Sequence, residues 1–496
     1  MTNDKSILQI SNTVDKQKLR KLTTIREMGI NPYPHNFKKE ISAKEIKQQF
    51  DSIEVGEKLE DKKFAVAGRL MLRRKMGKAA FLDIQDESGR IQIYVQKPEL
   101  TDQERELFSN LDIGDIIGVY GFVFRTQMGQ LSIHCQKFEL LCKSIAPLPE
   151  KFHGLTDVEL KYRQRFVDLI MNQEVKETFK VRSQIITGIR SFLDEKGFME
   201  VETPTLQPIY GGAAAEPFST HHNDLDTTLY MRVSPELYLK RLIVGGFEKV
   251  YEIGKNFRNE SIDTTHNPEF TEIEWYEAYT DYNDQMKQVE NLVESLCIKV
   301  NGTTKVKFKE HEIDFKAPWK RLSVYDGLRE YAKIEPETIS KEDLMKELKK
   351  YTTDVEEKKS HGELLVDLFE ETVEDKLIQP TFVIDHPVEI CPLTKTHRTN
   401  PKLVERFESY AGGMETSNAY TELNDPVDQA LRLKEQESHR EFDKEAHPMD
   451  KNFLHSIEIG MPPTGGVGIG VDRIVMLLTN NVSIRDVILF PTMKLK

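Results

Sequence analysis

The densest chemistry in the chain follows residue 248. Two strand-like runs, EKVYEIGKNFRNE and PEFTEIEWYEAY, are joined by SIDTTHN, Ser261 to Asn267. Side chains along a strand alternate faces with a period of two. In an antiparallel hairpin the second run turns Phe270, Glu272, Glu274 and Tyr276 to one face, and Thr271, Ile273 and Trp275 to the other. On the first run Arg258 and Glu260 share a face. Such a face suits a ligand that combines a base, a phosphate and an ammonium group. The ring stacks, the guanidinium binds phosphate through paired hydrogen bonds, and carboxylates hold ammonium groups or a metal ion. A solvated outer face would also explain the charges, but not Phe270 and Tyr276 among them.

Three other patterns could join this site. GGVGIGVDR, Gly465 to Arg473, reads as a glycine-rich turn that brings a ligand close to the backbone, with Arg473 in the first turn of a following helix. It matches neither GxxxxGK[ST] nor GxGxxG with a distal acid, which disfavours a Walker loop and a dinucleotide fold. RFESYAGGMETSNAYTELNDP carries Glu408 and Glu415, hard oxygen donors able to hold Mg2+ against substrate phosphates, with Asn418 and Glu422 within reach of the same pocket. GGAAAEPF, Gly211 to Phe218, is small enough to close over a ligand. Taken singly, these also read as a packing turn, an exposed acid pair and a surface loop.

The elements that must hold these residues come in two styles. Residues 14–30 read as a helix, with Leu19, Leu22, Ile25 and Met28 at helical spacing, ended by NPYP. From about 62 to 143 come five short strands rich in β-branched and aromatic residues, separated by glycine or charged turns. That pattern predicts a small closed β-barrel of the oligonucleotide-binding kind. Between Phe64 and Val95 it holds six basic residues against three acidic ones, and Phe81 is placed to stack on a base. A basic strand rim around a core Phe is the ordinary alternative. SIAPLPEKFHG looks like a linker. From about 160, helices alternate with strands: TFKVRSQIITGIRSFLDEKGF and SPELYLKRLIV as helices, MEVETPTL as a strand ended at Pro204. The expected organisation is an N-terminal helical extension over 1–60, a barrel over 61–143, a linker over 144–160 and a large α+β unit over 161–496. Within that unit, about 285–380 reads as a charged, peripheral helical insertion.

Composition sets the outer limits. The 496 residues suit two or three domains at about 150 residues each. A net charge of −13 argues against a surface that coats nucleic acid, while leaving room for a local basic face. Four cysteines without a CxxC pair argue against a zinc ribbon and a disulfide framework, and fit a reducing, cytoplasmic compartment. No signal peptide and no apolar run of about 18 residues is seen, so no membrane association is expected.

Together these segments resemble class II aminoacyl-tRNA synthetases, from about residue 18 to the C-terminus, and within them the lysyl-tRNA synthetases. GFMEVETP is similar to the first class signature, FRNE with HNPEF to the second, and GIGVDR to the third. GGAAA, SPELYLKRL, EWY and NAYTELNDP point to lysine. The resemblance implies an OB-fold anticodon-binding barrel ahead of a catalytic unit with a mostly antiparallel sheet flanked by helices. It implies ATP and L-lysine as substrates, tRNA(Lys) as partner, a homodimer, and Mg2+, in about three ions per subunit, around the phosphates. Arg258 would contact the α-phosphate and the amino-acid carboxylate. Glu260 would read the adenine amino group, Phe270 would stack on the ring, and Asn267 would lie beside them. His266 and Arg473 would hold the γ-phosphate, and Glu408 and Glu415 the metal. Gly212 and Glu236 would hold the lysine α-amino group; Glu274, Tyr276 and Glu422 would enclose the ε-ammonium, with Asn418 nearby. In the barrel, Arg74, Phe81 and Gln92 would contact the anticodon. An aspartate- or asparagine-type synthetase is the sibling alternative. Its substrate side chain calls for cations where Glu274, Tyr276 and Glu422 offer anions and a hydroxyl. Glu216, Gln130, Thr265 and Trp275 depart from the pattern of the resembled family.

Overall fold

A computed structural model describes residues 11–149, 157–353, 355–439 and 448–494. The chain divides into two compact units, Met1–Asp157 and Val158–Lys496. The division falls within the stretch read as a linker, of which residues 150–156 lie outside the described residues.

The first unit is a closed barrel of five strands, β1 (Lys58–Met76), β2 (Ala79–Gln85), β3 (Arg90–Gln96), β4 (Ile116–Arg125) and β5 (Leu131–Cys142), in the order β1-β2-β3-β5-β4. Period-two alternation turns Leu82, Ile93, Ile133 and Val123 inward, all at most 1% exposed. Helices α1 (Lys16–Glu27) and α2 (Ala43–Phe50) begin at an Asp15 cap and at a Ser42–Glu45 capping box. They send Ile25, Ala43 and Ile46 into the barrel's own core, so the N-terminal extension folds as part of this unit.

The second unit is built on an eight-stranded sheet. Its strands are β6 (Met199–Glu200), β7 (Lys249–Phe257), β8 (Glu269–Ala278), β9 (Lys320–Ser323), β10 (Thr381–Pro387), β11 (Leu403–Ala411), β12 (Met414–Thr421) and β13 (Thr464–Gly470). Their order is β9-β10-β11-β12-β13-β8-β7-β6, antiparallel except at the two edge pairs. One face packs on helices α3 (Gln173–Glu195), α5 (Tyr282–Asn301) and α6 (Val471–Thr479) in a single large core. The other face carries the polar residues of the site. It is covered at one end by α4 (Glu236–Val244), whose Leu237, Leu239 and Ile243 pack with Val250 and Tyr276.

Three expectations are corrected. The glycine-rich run read as a turn is the central strand β13, hydrogen-bonded to β12 on one side and β8 on the other. Two flanking ladders hold glycines in a strand that their own propensity disfavours. The expected insertion over 285–380 is not peripheral throughout. Helix α5 buries Met286, Val289, Leu292, Val293 and Leu296 in the main core, and its Gln285 accepts a hydrogen bond from Trp275 Nε1 at 2.8 Å. Each large core side chain contributes about 2–3 kcal/mol. Lys320–Ser323 is moreover an edge strand of the sheet. The helices beyond it gather around a smaller core, with Leu344, Leu364, Leu368 and Phe369 packed on Leu322, Val383 and Tyr410 of the sheet. Charged exposed faces on α5 hid the buried stripe from a reading by composition. Finally, MEVETPTL forms β6 only over Met199–Glu200, with a second two-residue strand at Leu206–Gln207. Among the described residues no helix is long and apolar enough to cross a membrane.

Candidate active site

Register assembles the site. Glu274 on β8 lies opposite Gly468 on β13, which lies opposite Asn418 on β12, which lies opposite Glu408 on β11. Three predicted residues thus share one row across four strands, and the pleat turns them to one face. The next row holds Tyr276, Gly466, Tyr420 and Arg406. The glycines keep the middle of this face bare. A Cβ on Gly466 would stand 2.0 Å from Glu422 Oε1 and 2.5 Å from a Tyr276 ring carbon; one on Gly468 would stand 2.9 Å from Glu272 Oε1. This close approach of side chains over the backbone is what the sequence could show only as a run of glycines.

One end of the face opens into a cleft lined by Arg258, Glu260, His266, Asn267, Phe270, Glu272, Glu415, Asn418 and Arg473. The Arg258 guanidinium lies 5.0 Å from the Phe270 ring centre, and its backbone N–H donates to Pro268 O at 2.9 Å, which closes the β7–β8 turn. Arg473 projects from the first turn of α6. It donates through Nη1 to Glu415 O at 2.8 Å and to Glu415 Oε2 at 3.0 Å, and its Nη2 stands 3.2 Å from His266 Nε2. Asp263 takes the other ring nitrogen of His266 at 2.8 Å. Burial would raise the Asp263 carboxyl, but the hydrogen bonds from His266 and Thr265 bring it down to about 2. Glu260 is exposed at the rim. Asn267 lines the cleft, yet its amide is taken by Glu269 O and the Thr492 N–H, so it shapes the turn.

Two residues here carried no role in the sequence reading. Asp472 accepts from Thr271 N–H at 2.7 Å and from Arg182 of α3 at 2.5 Å, and so ties the helix bearing Arg473 to β8. Glu272 faces the cleft and takes a 2.7 Å hydrogen bond from Asn256; burial raises its carboxyl, against the opposing charge of Arg258. The period-two pattern had already put Glu272 on this face.

The other end of the face is closed and acidic. Glu274 is 5% exposed. It accepts from Ser234 Oγ at 2.7 Å and from the Tyr276 hydroxyl at 3.0 Å, and neither donor is a cation. Burial, then the charges of Glu272 and Glu236, push its carboxyl well above the usual range. Its neighbour across the ladder, Glu252, is by contrast paired with Arg232. Gly212 adopts a φ of +91°, and a Cβ there would stand 2.9 Å from Glu236 Cβ, so the two residues expected to flank an α-amino group are adjacent. Glu422 is fully buried and its carboxyl is pushed up to about 8, chiefly by burial and despite the ammonium of Lys240. The sequence reading missed Lys240 and Tyr420. Both lie within the quoted segments SPELYLKRL and NAYTELNDP, but nothing local marks them as reaching one pocket.

Glu408 and Glu415 sit on adjacent strands. Burial alone would raise Glu408, but Arg406 at 2.5 Å and His386 at 3.4 Å hold it well below the usual carboxylate range, so it stays charged. Glu415 stands on the cleft wall. Among the described residues no group of three or more metal-type side chains is preformed. Two hard carboxylates, one of them kept ionised, fit an ion that takes its other ligands from phosphate and water.

In the barrel the register runs Arg74, Phe81, Tyr94, His134 and Phe122 across all five strands. These residues alternate with the inward ones, so they share the outer face. Phe81 and Tyr94 ring centres are 5.1 Å apart, and Gln92 on the same face accepts from Ser132 Oγ at 3.0 Å. Tyr94 and His134 extend the aromatic row beyond the predicted Phe81; strand alternation was the signal that could have found them.

Comparison with known proteins agrees with this geometry. Residues 157–494 match the family model described as tRNA synthetases class II (D, K and N), and residues 64–141 match the OB-fold nucleic acid binding domain. A protein of Clostridium novyi named lysine–tRNA ligase is 52% identical over 490 residues, covering 97% of this chain and 95% of that one. Proteins of the same name from Methanoculleus marisnigri and Syntrophomonas wolfei are 52% and 51% identical, covering 97% and 99% of this chain and 95% and 98% of their own lengths. By the match to the catalytic unit and by relatives that span nearly its whole length, the chain belongs to the class II tRNA synthetases of the D, K and N group.

Proposed function

We propose that the chain is a lysine–tRNA ligase. It activates L-lysine with ATP to lysyl-adenylate and pyrophosphate, then transfers lysine to the 3′-terminal adenosine of tRNA(Lys). The observation that carries the amino-acid choice is Glu274, buried on a bare glycine floor with hydroxyl partners only. A neutral side chain in that pocket would leave carboxylates unpaired, which an enzyme reads as a large loss of rate. The sibling reading, aspartate or asparagine, would set a substrate carboxylate or amide against the same anions.

In this reading the adenine lies on Phe270, with Glu260 at the rim to accept from its amino group. Arg258 neutralises the α-phosphate and draws in the lysine carboxylate, which attacks phosphorus in line and expels pyrophosphate. Arg473, oriented by Glu415 and His266, takes the γ-phosphate. The chain supplies no nucleophile: positioning and charge stabilisation suffice for phosphoryl chemistry of this type. Glu408 and Glu415 would hold Mg2+, whose charge offsets that of the phosphates. Glu236 and the backbone beside Gly212 take the α-ammonium, while Glu274, Tyr276 and Glu422 surround the ε-ammonium and Asn418 borders both. On the barrel, Arg74, Phe81 and Gln92 receive the anticodon. The GFMEVETP segment supports a homodimer, which sedimentation would test directly. The four free cysteines fit a reducing compartment such as the cytoplasm.

Pyrophosphate exchange tests the reading. Exchange that depends on ATP and lysine is expected without tRNA; exchange with another amino acid and none with lysine would overturn it. For the barrel, Phe81→Ala should raise the KM for tRNA about tenfold and leave exchange unchanged, because one base–aromatic stack is worth about 1–3 kcal/mol.

A further inference from the structure

Lys240 joins the two ends of the amino-acid pocket. It projects from α4, is fully buried, and places its ammonium 2.5 Å from Glu236 Oε1 and in direct contact with Glu422 Oε2. The rings of Tyr420 and Phe453 flank it, with their centres 5.4 and 5.8 Å away. Among the described residues it is the only cation within ion-pair distance of Glu236, Glu274 or Glu422. The two carboxylates it bridges are those assigned to opposite ends of the substrate, Glu236 to the α-ammonium and Glu422 to the ε-ammonium.

We propose that Lys240 is a specificity-determining positioning residue: its ammonium fixes the separation of the two carboxylates and so sets the amino-acid chain length that the pocket accepts. The inference rests on the lysine reading above. Glu236 has a second anchor, the Tyr420 hydroxyl, which donates to its Oε2 at 2.6 Å. Glu422 has none. Its carboxylate meets no other hydrogen-bond donor, and its Oε1 is turned to the bare floor at Gly466 beside Tyr276. One oxygen of Glu422 is thus held by Lys240 while the other faces the pocket. Charge counting agrees. Three buried carboxylates and one internal ammonium leave room for two more cations, and lysine and its shorter homologue ornithine each bring two. Charge therefore separates these diamino acids from neutral ones but not from each other, and their lengths must be read by geometry. Without the bridge, Glu422 is free to move, and two uncompensated buried carboxylates repel each other.

The test is pyrophosphate exchange with lysine and with ornithine. Replacing Lys240→Met keeps the bulk and removes the charge. The ratio of kcat/KM for lysine over ornithine should fall about tenfold, within the range that one methylene commands. The KM for ATP should not move, because Lys240 does not line the nucleotide cleft. Tyr420→Phe leaves Lys240 in place and frees one side of Glu236; it should lower the same ratio by about threefold. Equal losses for both amino acids would show a merely structural role and overturn the proposal, as would an unchanged ratio in a folded Lys240→Met protein. Should Lys240→Met fail to fold, the Tyr420→Phe ratio decides in the same way. Absence of lysine-dependent exchange in the unaltered chain overturns the functional reading itself, and this proposal with it.

Discussion

At the nucleotide end of the sheet face, the working groups are Arg258, His266, Phe270 and Arg473, lining an open cleft and tied to turns and helix starts. At the amino-acid end, they are Glu236, in the first turn of α4, and Glu274, Tyr276 and Glu422, all at most 5% exposed. The cleft is organised around cations that meet a ligand whose charge is many-fold negative. The pocket is organised around anions with a single internal ammonium. The contrast teaches where each kind of discrimination comes from. Phosphate is gripped by strong, partly exposed charge on the wall of an open cleft, which gives rate. The side chain is read by buried charge that any wrong partner leaves unsatisfied, which gives selectivity.

Four measurements would break or sharpen this contrast. Removing Arg258 (Arg258→Ala) attacks the charge that the reacting phosphate needs, and exchange should fall by about 10³-fold with the fold retained by circular dichroism. Neutralising the buried end is smaller and one-sided. Glu274→Gln should cost about 100-fold in kcat/KM for lysine, in line with about 1.5–3 kcal/mol for a charged hydrogen bond, while the KM for ATP holds. An equal rise in both KM values would mean that the two ends are not separable. Next comes the glycine floor. Gly466→Ala would drive a Cβ to 2.0 Å from Glu422 Oε1, so the lysine KM should rise by about tenfold without a matching change for ATP. Last is pH. Burial pushes the Glu422 carboxyl up to about 8 and raises that of Glu274 as well, so their anionic forms, which bind ammonium, are lost as pH falls. Between pH 8.5 and 7 the lysine KM should therefore increase on acidification, by at most about tenfold per pH unit for one proton, while the ATP KM stays flatter. A lysine KM indifferent to pH would show that these carboxylates are already ionised in the free pocket.

Much of the site was legible because it is local. Period two along PEFTEIEWYEAY put Phe270, Glu272, Glu274 and Tyr276 on one face, and each takes part in the cleft or the pocket. The barrel was legible for the same reason, its inward and outward residues alternating strand by strand. What escaped was non-local. In GGVGIGV, Val467 and Ile469 alternate with glycines at period two, but glycines favour turns and say nothing of strand partners, so its place between β12 and β8 could not be seen. Helix α5 reads as part of a surface insertion because the stretch over 285–380 as a whole is rich in charge, although Trp275 and Gln285 lock it to the sheet.

The sequence alone determined the types of group available, the face that each strand presents and the family signatures, because these depend on neighbours a few residues apart. Tertiary structure alone decided which carboxylates keep a cation of their own and which are left to a ligand. Glu252 found Arg232, Glu408 found Arg406, Glu236 and Glu422 share Lys240, and Glu274 has only hydroxyls. The physical reason is that charge compensation in a buried site depends on distances of a few ångströms between residues far apart in the chain, such as Lys240 and Glu422. Spacing along the chain carries no record of them.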